Sequence, residues 1–123
     1  MTRLLVIGGR DFGKEAKERW FVQDYLDIQH LDRPITHLIQ GGARGVDEEA
    51  KSWAETNNLP NTEYPANWGL YGKSAGYKRN VQMLEEGKPD LVIAFPGGKG
   101  TAMMIKLAKD AGVETIIVPY EQR

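Results

Sequence analysis

The 123-residue sequence contains no cysteine and no long hydrophobic run. Without cysteine, disulfides and thiolate zinc sites are excluded. No stretch reaches the roughly 18 apolar residues of a membrane-spanning helix, and the first apolar run is too short for a signal-peptide core. A net charge of −1 argues against a generally basic surface that would coat nucleic acid. We therefore expect a cytoplasmic protein with no membrane partner.

Five short apolar runs alternate with segments of helical periodicity. The runs are Arg3–Gly8, Thr36–Gln40, Thr62–Ala66, Asp90–Phe95 and Glu114–Pro119. This alternation predicts βαβ units, a mainly parallel sheet and right-handed crossovers. Because proline cannot donate to a strand ladder, Pro65 places the third strand at an edge. We predict a Rossmann-like α/β fold, with an open five-stranded sheet in the order 3-2-1-4-5 and helices on both faces, forming one domain over residues 1–123.

The segments between these runs each place apolar residues on one helical face. In the first segment these residues are Trp20, Phe21, Tyr25, Ile28 and Leu31. In the second they are Val46, Ala50, Trp53 and Ala54. Val81 and Leu84 mark the third helix, and the fourth is marked by Ile105, Ala108 and Ala111.

Glycine and basic residues are concentrated after the first four strands. Twelve of the 14 glycines fall in Gly8–Lys14, Gly41–Asp47, Ala66–Arg79 and Pro96–Thr101. These segments carry seven basic and two acidic side chains, a net charge of +5, against −6 for the rest of the chain. In an open α/β sheet such loops gather at one edge, around the switch point between strands one and four. The pattern predicts an anion-binding crevice there.

Two of these loops have the same design, a glycine turn that leads into a helix. In Pro96–Thr101, consecutive glycine amides can form an anion-binding nest, and Thr101 can cap the helix and donate to a phosphate. The alternative is a tight turn with an N-cap. In Gly41–Asp47, Arg44 could pair bidentately with phosphate. Asp47 could accept a hydrogen bond from a ribose hydroxyl, or its negative charge could simply stabilise the start of the helix.

The sequence does not predict a metal site. Gly8–Lys14 fits the pattern G-x-x-x-x-G-K, but Glu15 follows where a P-loop needs Ser or Thr to bind magnesium. His30 and His37 follow no metal-binding spacing. We therefore predict no bound metal and no cofactor.

A long loop over Trp68–Tyr77 carries three aromatic rings among glycines. A nucleobase could stack on Trp68, Tyr71 or Tyr77. Alternatively, Trp68 fills the core beneath the loop. Lys73 and Lys78 could contact the ligand or could be ordinary solvated charges.

Four motifs in this order resemble the SLOG superfamily, which includes the Lonely Guy phosphoribohydrolases and DprA, and most closely its YspA-type, cpYpsA-related branch. They are G-[SG]-R-D-F at Gly8–Phe12, GGARGxD at Gly41–Asp47, W-x-x-Y-G-K-x-A-G-x-x-R-N at Trp68–Asn80 and F-x-G-G-x-G-T at Phe95–Thr101. The resemblance covers nearly the whole chain. It implies a Rossmann-like nucleotide-binding domain with a role in nucleotide signalling and, by analogy, a homodimer.

The chain departs from the Lonely Guy pattern PGGxGTxxE, whose glutamate assists cleavage of an N-glycosidic bond. Met104 stands at that position, whereas Arg79 matches the catalytic arginine that the resemblance implies. Asp11 and Asp47 are the acidic residues of the loops that could replace the glutamate. The candidate catalytic residues are therefore Arg79, Asp11 and Asp47. In an enzyme, restoring the carboxylate with Met104→Glu is expected to raise turnover.

Three functions stay open at this level. The first is a module that senses or sequesters a nucleotide-derived ligand such as an ADP-ribose-like molecule. The second is a hydrolase of nucleotide N-glycosidic bonds. The third, DprA-like binding of single-stranded DNA, is disfavoured by the net charge and small size. The predicted ligand-binding residues are Gly8, Gly9, Arg10, Gly41, Gly42, Arg44, Gly45, Asp47, Trp68, Lys73, Arg79, Asn80, Gly97, Gly98, Lys99, Gly100 and Thr101.

Overall fold

Strands and helices alternate along the chain in a computed structural model, which describes residues 1–120. The strands are β1 (Thr2–Ile7), β2 (Ile35–Gln40), β3 (Asn61–Glu63), β4 (Leu91–Ala94) and β5 (Glu114–Ile117). The helices are α1 (Ala16–Asp32), α2 (Val46–Thr56), α3 (Trp68–Tyr71), α4 (Ala75–Glu85) and α5 (Lys99–Asp110). A 3₁₀ turn over Gly72–Ser74 joins α3 to α4.

The five strands form one parallel sheet in the order β3-β2-β1-β4-β5, as predicted. The central strand β1 pairs with β2 on one side and with β4 on the other, so that Leu5 is in register with both Ile39 and Val92. The edge strand β3 ends at Glu63, before Pro65, in agreement with the loss of a ladder donor at proline. The strand order changes direction at β1, because β2 and β3 extend the sheet to one side and β4 and β5 to the other, and the loops after β1 and β4 meet at this switch point.

Alternate side chains of the sheet enter two cores on opposite faces. On one face, Leu4 and Val6 pack with residues of α1 and α2, among them Val22 and Trp53. On the other face, the buried partners come from the sheet and from α4 and α5: Leu5, Ile7, Ile39, Met83, Val92, Ala94, Met104 and Ala108. Helices therefore cover both faces, as the prediction required.

The predicted face of α1 is wrong for three of its five residues. Three residues predicted to face the core are mostly exposed instead: Trp20, Ile28 and Leu31. The residues that α1 buries instead are Glu18, Val22 and Leu26. Burial of the Glu18 carboxylate is compensated, because its Oε1 accepts a hydrogen bond of 2.9 Å from the backbone N–H of Gly13.

The other helices follow their predicted faces more closely. All four apolar residues named for α2 are buried. Of the residues named for α4 and α5, Ala108 is buried, and three are partly buried: Val81, Leu84 and Ile105. Ala111 follows the last helical turn and is exposed, and the buried Met83 and Met104 were not predicted. Among residues 1–120, no helix has both the length and the apolar character to cross a membrane.

The segment predicted as a long loop over Trp68–Tyr77 is largely helical. The side chain of Asn67 accepts a hydrogen bond of 3.0 Å from the N–H of Leu70 and so caps the short helix α3. Arg79 and Asn80 consequently project from the first turns of α4, a regular element, and not from a loop.

Candidate functional site

The loops at the carboxyl ends of the strands surround a cavity of about 430 Å³, here called the main cavity. A volume of this size is typical of small-molecule sites. The predicted site residues that line it are Gly8, Gly9, Arg10, Asp11, Asp47, Trp68, Arg79, Asn80, Gly98, Gly100 and Thr101. The structure therefore brings together residues from all four glycine-rich segments. That they bind a ligand remains a prediction.

The remaining predicted residues lie around this cavity. Gly41, Gly42 and Arg44 line an adjoining outer groove of about 390 Å³, which shares Arg10, Trp68 and Arg79 with the main cavity. Gly97 lines a third hollow of about 420 Å³, here called the side cavity. The predicted residues that line none of these three hollows are Gly45, Lys73 and Lys99.

Arg79 is held between the loop after β2 and the first turn of α5. Its Nη1 donates to the carbonyl oxygen of Gly41 at 2.7 Å, and its Nε donates to Oδ1 of Asn80 at 3.1 Å. The buried Asn80 in turn donates from Nδ2 to the carbonyl oxygen of Gly100 at 3.4 Å. Burial lowers the pKa of Arg79, but a guanidinium keeps its charge at neutral pH. The result is a fixed positive group on the main cavity.

Asp47 is a buried carboxylate beside Arg79. Its Oδ2 accepts a hydrogen bond of 3.2 Å from the N–H of Ala43, which ties the preceding loop to the first turn of α2. Burial raises the pKa of Asp47 to about 6, and the hydrogen bond from Ala43 and the charge of Arg79 oppose this shift. Asp47 thus supports the start of α2 and also lines the main cavity.

Gly41 lies against both of these side chains. A Cβ atom at this position would lie 3.0 Å from Oδ2 of Asp47 and would collide with Nη1 of Arg79. Any side chain at this position would therefore force the guanidinium of Arg79 to move.

Asp11 has the opposite environment. Its carboxylate is exposed and lies 3.1 Å from Nζ of Lys14 and 3.9 Å from Nη2 of Arg44. The hydrogen bond from Lys14 lowers the pKa of Asp11. Asp11 therefore stays ionised at neutral pH and is poorly suited to transfer a proton, in contrast to Asp47.

The two adjacent glycines before α5 have different roles. A Cβ at Gly97 would lie 2.8 Å from the backbone nitrogen of Gly9 and would collide with Oγ1 of Thr101, so Gly97 lets two loops pack together. A Cβ at Gly98 would meet no atom within 4 Å. Gly98 is the N-cap of α5, and Thr101 is the third residue of the helix, so the predicted capping role of Thr101 is wrong.

The loop Gly41–Asp47, which has the same sequence design, is built differently. Gly45 has a φ of 80°, and a Cβ there would lie 2.6–2.8 Å from the carbonyl oxygens of Gly9, Arg10 and Phe12. The first turn of α2 contains Asp47, Glu48 and Glu49, whose charges already match the positive end of the helix dipole. The first turn of α5 contains no acidic residue. Of the two loops, the one before α5 therefore presents the more positive helix start.

Trp68 lies at the mouth of the main cavity. Its side chain is 50% exposed, so it does not fill the core. The guanidinium carbon of Arg10 lies 5.5 Å from the centre of the Trp68 ring, within the range of a cation–π contact. Lys78 makes a similar contact with Tyr71 at 4.8 Å, whereas Lys73 is exposed.

Comparison with known proteins identifies the family. A model described as the YspA, cpYpsA-related SLOG family matches residues 2–71. The chain belongs to this family. It is 36% identical over 124 residues to the Gene 61 protein of Mycobacterium phage D29, which covers 94% of this chain and 95% of that protein. In fold it is similar to the structure of the Moco carrier protein from Chlamydomonas reinhardtii, with 19% identity and a TM-score of 0.60 over 94% of this chain and 74% of that one.

In this member of the SLOG family, the position of the Lonely Guy glutamate is part of the core. Met104 is 1% exposed, packs with Leu5 and Ile7, and lines the floor of the main cavity. Met103, its neighbour on α5, is only partly buried and lines the same cavity. The cavity floor at this point is therefore apolar.

The sequence analysis missed two polar residues that support the second loop of this SLOG domain. Gln40 is fully buried at the end of β2, where its Nε2 donates to Oε1 of Glu63 at 3.1 Å and its Oε1 accepts from the N–H of Gly42 at 2.6 Å. The sequence did offer one signal for such a residue, namely a glutamine at the end of an otherwise apolar strand. Within residues 1–120, no group of three or more His, Cys, Asp or Glu side chains could hold a metal ion.

Proposed function

We propose that this SLOG domain binds a nucleotide or a nucleotide-derived phosphate ligand in the main cavity, in order to sense, sequester or process it. The observation that carries the proposal is the convergence of Arg10, Arg79 and the start of α5 on one cavity of small-molecule size. Charged donors and a helix N-terminus together favour an anionic group.

In this proposal the phosphate lies against Gly98 and Gly100. A Cβ at either position would enter open space, so the backbone there is accessible to a ligand. The guanidinium of Arg79 is fixed nearby through Asn80, which also contacts Gly100. The half-exposed ring of Trp68, which lines the same cavity, would stack on the base.

The comparisons support binding of a small molecule in general terms. Membership of the SLOG family fits a ligand-binding domain, and the protein of similar fold is named as a carrier of Moco. A nucleotide as the ligand of this chain rests on the charge and geometry of the main cavity.

Isothermal calorimetry with mononucleotides and nucleoside diphosphates of the common bases tests this proposal. We expect binding by the parent and a loss of about 1.5–3 kcal/mol, or roughly 10- to 100-fold in affinity, in Arg79→Ala. Lys106→Ala is the matched control, because it removes the same charge from an exposed side chain that pairs with Asp110 on α5. Failure of the parent to bind any of these ligands, or equal losses in both variants, would contradict the proposal.

One observation favours a second candidate, hydrolysis of a nucleotide N-glycosidic bond. The pKa of Asp47, raised to about 6 by burial, suits a general acid or base near neutral pH. Asp47 would donate a proton to the departing base as the glycosidic bond breaks, and the water that adds to the sugar carbon would return a proton to Asp47. Arg79 would hold the phosphate. Asp11, which is exposed and ionised, is the weaker candidate for this role.

A further inference from the structure

The outer groove is lined by positive charge. Three arginines line it, Arg10, Arg44 and Arg79, and within residues 1–120 no Asp or Glu does. The carboxylate of Asp11 reaches Nη2 of Arg44 only at 3.9 Å and pairs more closely with Lys14, at 3.1 Å. The groove therefore holds an excess of positive charge, which favours an anion.

Two of these arginines are held close to each other on the wall that the outer groove shares with the main cavity. Arg79 donates to the carbonyl oxygen of Gly41, and the guanidinium of Arg10 lies over the ring of Trp68. Burial lowers the pKa of Arg79, the charge of Asp47 opposes this shift, and the positive charge of Arg10 adds to it. An anion bound beside both guanidinium groups would relieve their repulsion.

The backbone amides of the loop beside the outer groove are already used. The N–H of Gly42 donates to Oε1 of Gln40 at 2.6 Å, and the N–H of Ala43 donates to Oδ2 of Asp47 at 3.2 Å. An anion in this groove would therefore bind to guanidinium groups and not to these amides. Arg44 has the freest of these groups, because its side chain is 70% exposed.

The main cavity and the outer groove offer two separate positions for an anion. Gly98 and Gly100, at the start of α5, line the main cavity and not the outer groove, whereas Arg44 lines the outer groove and not the main cavity. Trp68 and Arg79 line both. A single phosphate cannot occupy both positions. In a nucleotide, the ribose is the group that can carry phosphates on separate oxygens, one at 5′ and one at 2′ or 3′.

Resting on the proposed function, we propose that the ligand is a nucleotide with a second phosphate on its ribose. The 5′-phosphate lies against Gly98 in the main cavity. The 2′- or 3′-phosphate enters the outer groove, where the guanidinium groups of Arg44 and Arg79 bind it. A nucleotide whose phosphates are all attached to the 5′ oxygen would leave the outer groove empty.

Calorimetry on the full chain tests this inference with ligands of equal phosphate number. The probes are the 2′,5′- and 3′,5′-bisphosphates of adenosine, guanosine and uridine, each compared with the 5′-monophosphate and the 5′-diphosphate of the same base. For at least one base we expect a bisphosphate to bind about 10-fold or more tightly than both. Arg44→Ala should reduce this ratio below about threefold.

Arg33→Ala is the matched control. It removes the same guanidinium group from a residue that precedes β2, at the opposite end of the sheet, where it pairs with Glu114 at 2.9 Å. The ratio should be unchanged in this variant. Circular dichroism checks that both variants fold.

Phosphorus NMR of the bound bisphosphate gives a second readout on the parent protein. The pKa of the ribose phosphate should fall on binding, because the guanidinium groups favour its fully ionised form. If mononucleotides bind but no bisphosphate binds more tightly than its diphosphate, the inference is overturned and the proposed function stands. The same holds if the ratio survives in Arg44→Ala, or if the bound ribose phosphate titrates as in the free ligand. If no probe binds at all, the proposed function fails and the inference fails with it.

Discussion

The guanidinium of Arg79 donates a hydrogen bond of 2.7 Å to the carbonyl oxygen of Gly41, a residue 38 positions earlier in the chain. The same guanidinium is joined through Asn80 to Gly100. One pair of adjacent residues on α4 therefore joins the loop after β2 to the first turn of α5. This arrangement fixes the charge that we expect to meet the phosphate.

If Asn80 acts by positioning Arg79, the effects of the two residues on binding should not add. Asn80→Ala should weaken nucleotide binding by about 3- to 10-fold, less than Arg79→Ala. The double variant should bind as weakly as Arg79→Ala alone, because no guanidinium is left to position. A calorimetric double-mutant cycle measures this, with circular dichroism to confirm folding. Additive losses would show that Asn80 contacts the ligand independently.

The carboxyl of Asp47 should titrate near pH 6, as followed by carbon NMR of the side chain. Arg79→Ala should raise this pKa further, because the positive charge of Arg79 stabilises the ionised form. A titration near the ordinary value of 3.8 would contradict the desolvated environment described here.

The raised pKa of Asp47 also predicts how the free energy of unfolding depends on pH. Because the folded-state pKa of Asp47 is raised, ionisation is penalised in the folded protein. The penalty is absent below about pH 4 and develops as the pH rises through 6. The free energy of unfolding of the parent, relative to Asp47→Asn, should fall over this window by up to about 3 kcal/mol. Urea unfolding at several pH values measures it, and a difference that does not change with pH would contradict the assignment.

Product analysis separates a binding protein from a hydrolase. Incubation of the parent with a nucleotide panel, followed by chromatography, should show no free base if the domain only binds its ligand. If base is released, Asp47→Asn and Arg79→Ala should each abolish the release. Loss of activity in Asp11→Asn but not in Asp47→Asn would show that Asp11, and not Asp47, transfers the proton, and would contradict our scheme.

The structure reverses the expectation from the sequence that Met104→Glu raises turnover, and we now predict that this substitution does not create activity. Because Met104 is buried in the core, Met104→Glu should cost at least about 2 kcal/mol of stability. Met103→Glu, on the neighbouring and partly exposed position, should cost much less. Urea unfolding of both variants provides the comparison. A stable Met104→Glu protein with raised turnover would contradict this prediction.

The strand order could be predicted from the sequence because it follows from a few strong local signals. The alternation of strands and helices and the proline after β3 were sufficient. The orientation of α1 could not be predicted, because apolar residues lie on several sides of this helix. Its contacts with the sheet select Val22 and Leu26 over Trp20.

The candidate site was predictable in its loops but not in their detailed roles. Gly45 and Gly98 occupy loops of similar sequence. Gly45 packs against backbone carbonyls, whereas Gly98 faces open space. That difference depends on contacts with distant loops. The side cavity was not foreseen either, since Phe12 and Tyr120 lie at opposite ends of the described chain.

Ligand affinity should fall as salt is added, because the attraction in an open cavity is largely Coulombic. Calorimetry between low and high ionic strength measures this dependence. An affinity that stays constant would indicate an apolar ligand in place of a phosphate.

The most direct test of a phosphate site at the start of α5 is a calorimetric titration of Gly98→Val. The new side chain would enter open space, and circular dichroism checks that the variant folds. Gly69→Val is the control, because Gly69 is also uncrowded but lines none of the three hollows. We predict that Gly98→Val loses nucleotide affinity by 10-fold or more while Gly69→Val matches the parent. A folded Gly98→Val protein that binds as tightly as the parent would contradict the proposed site.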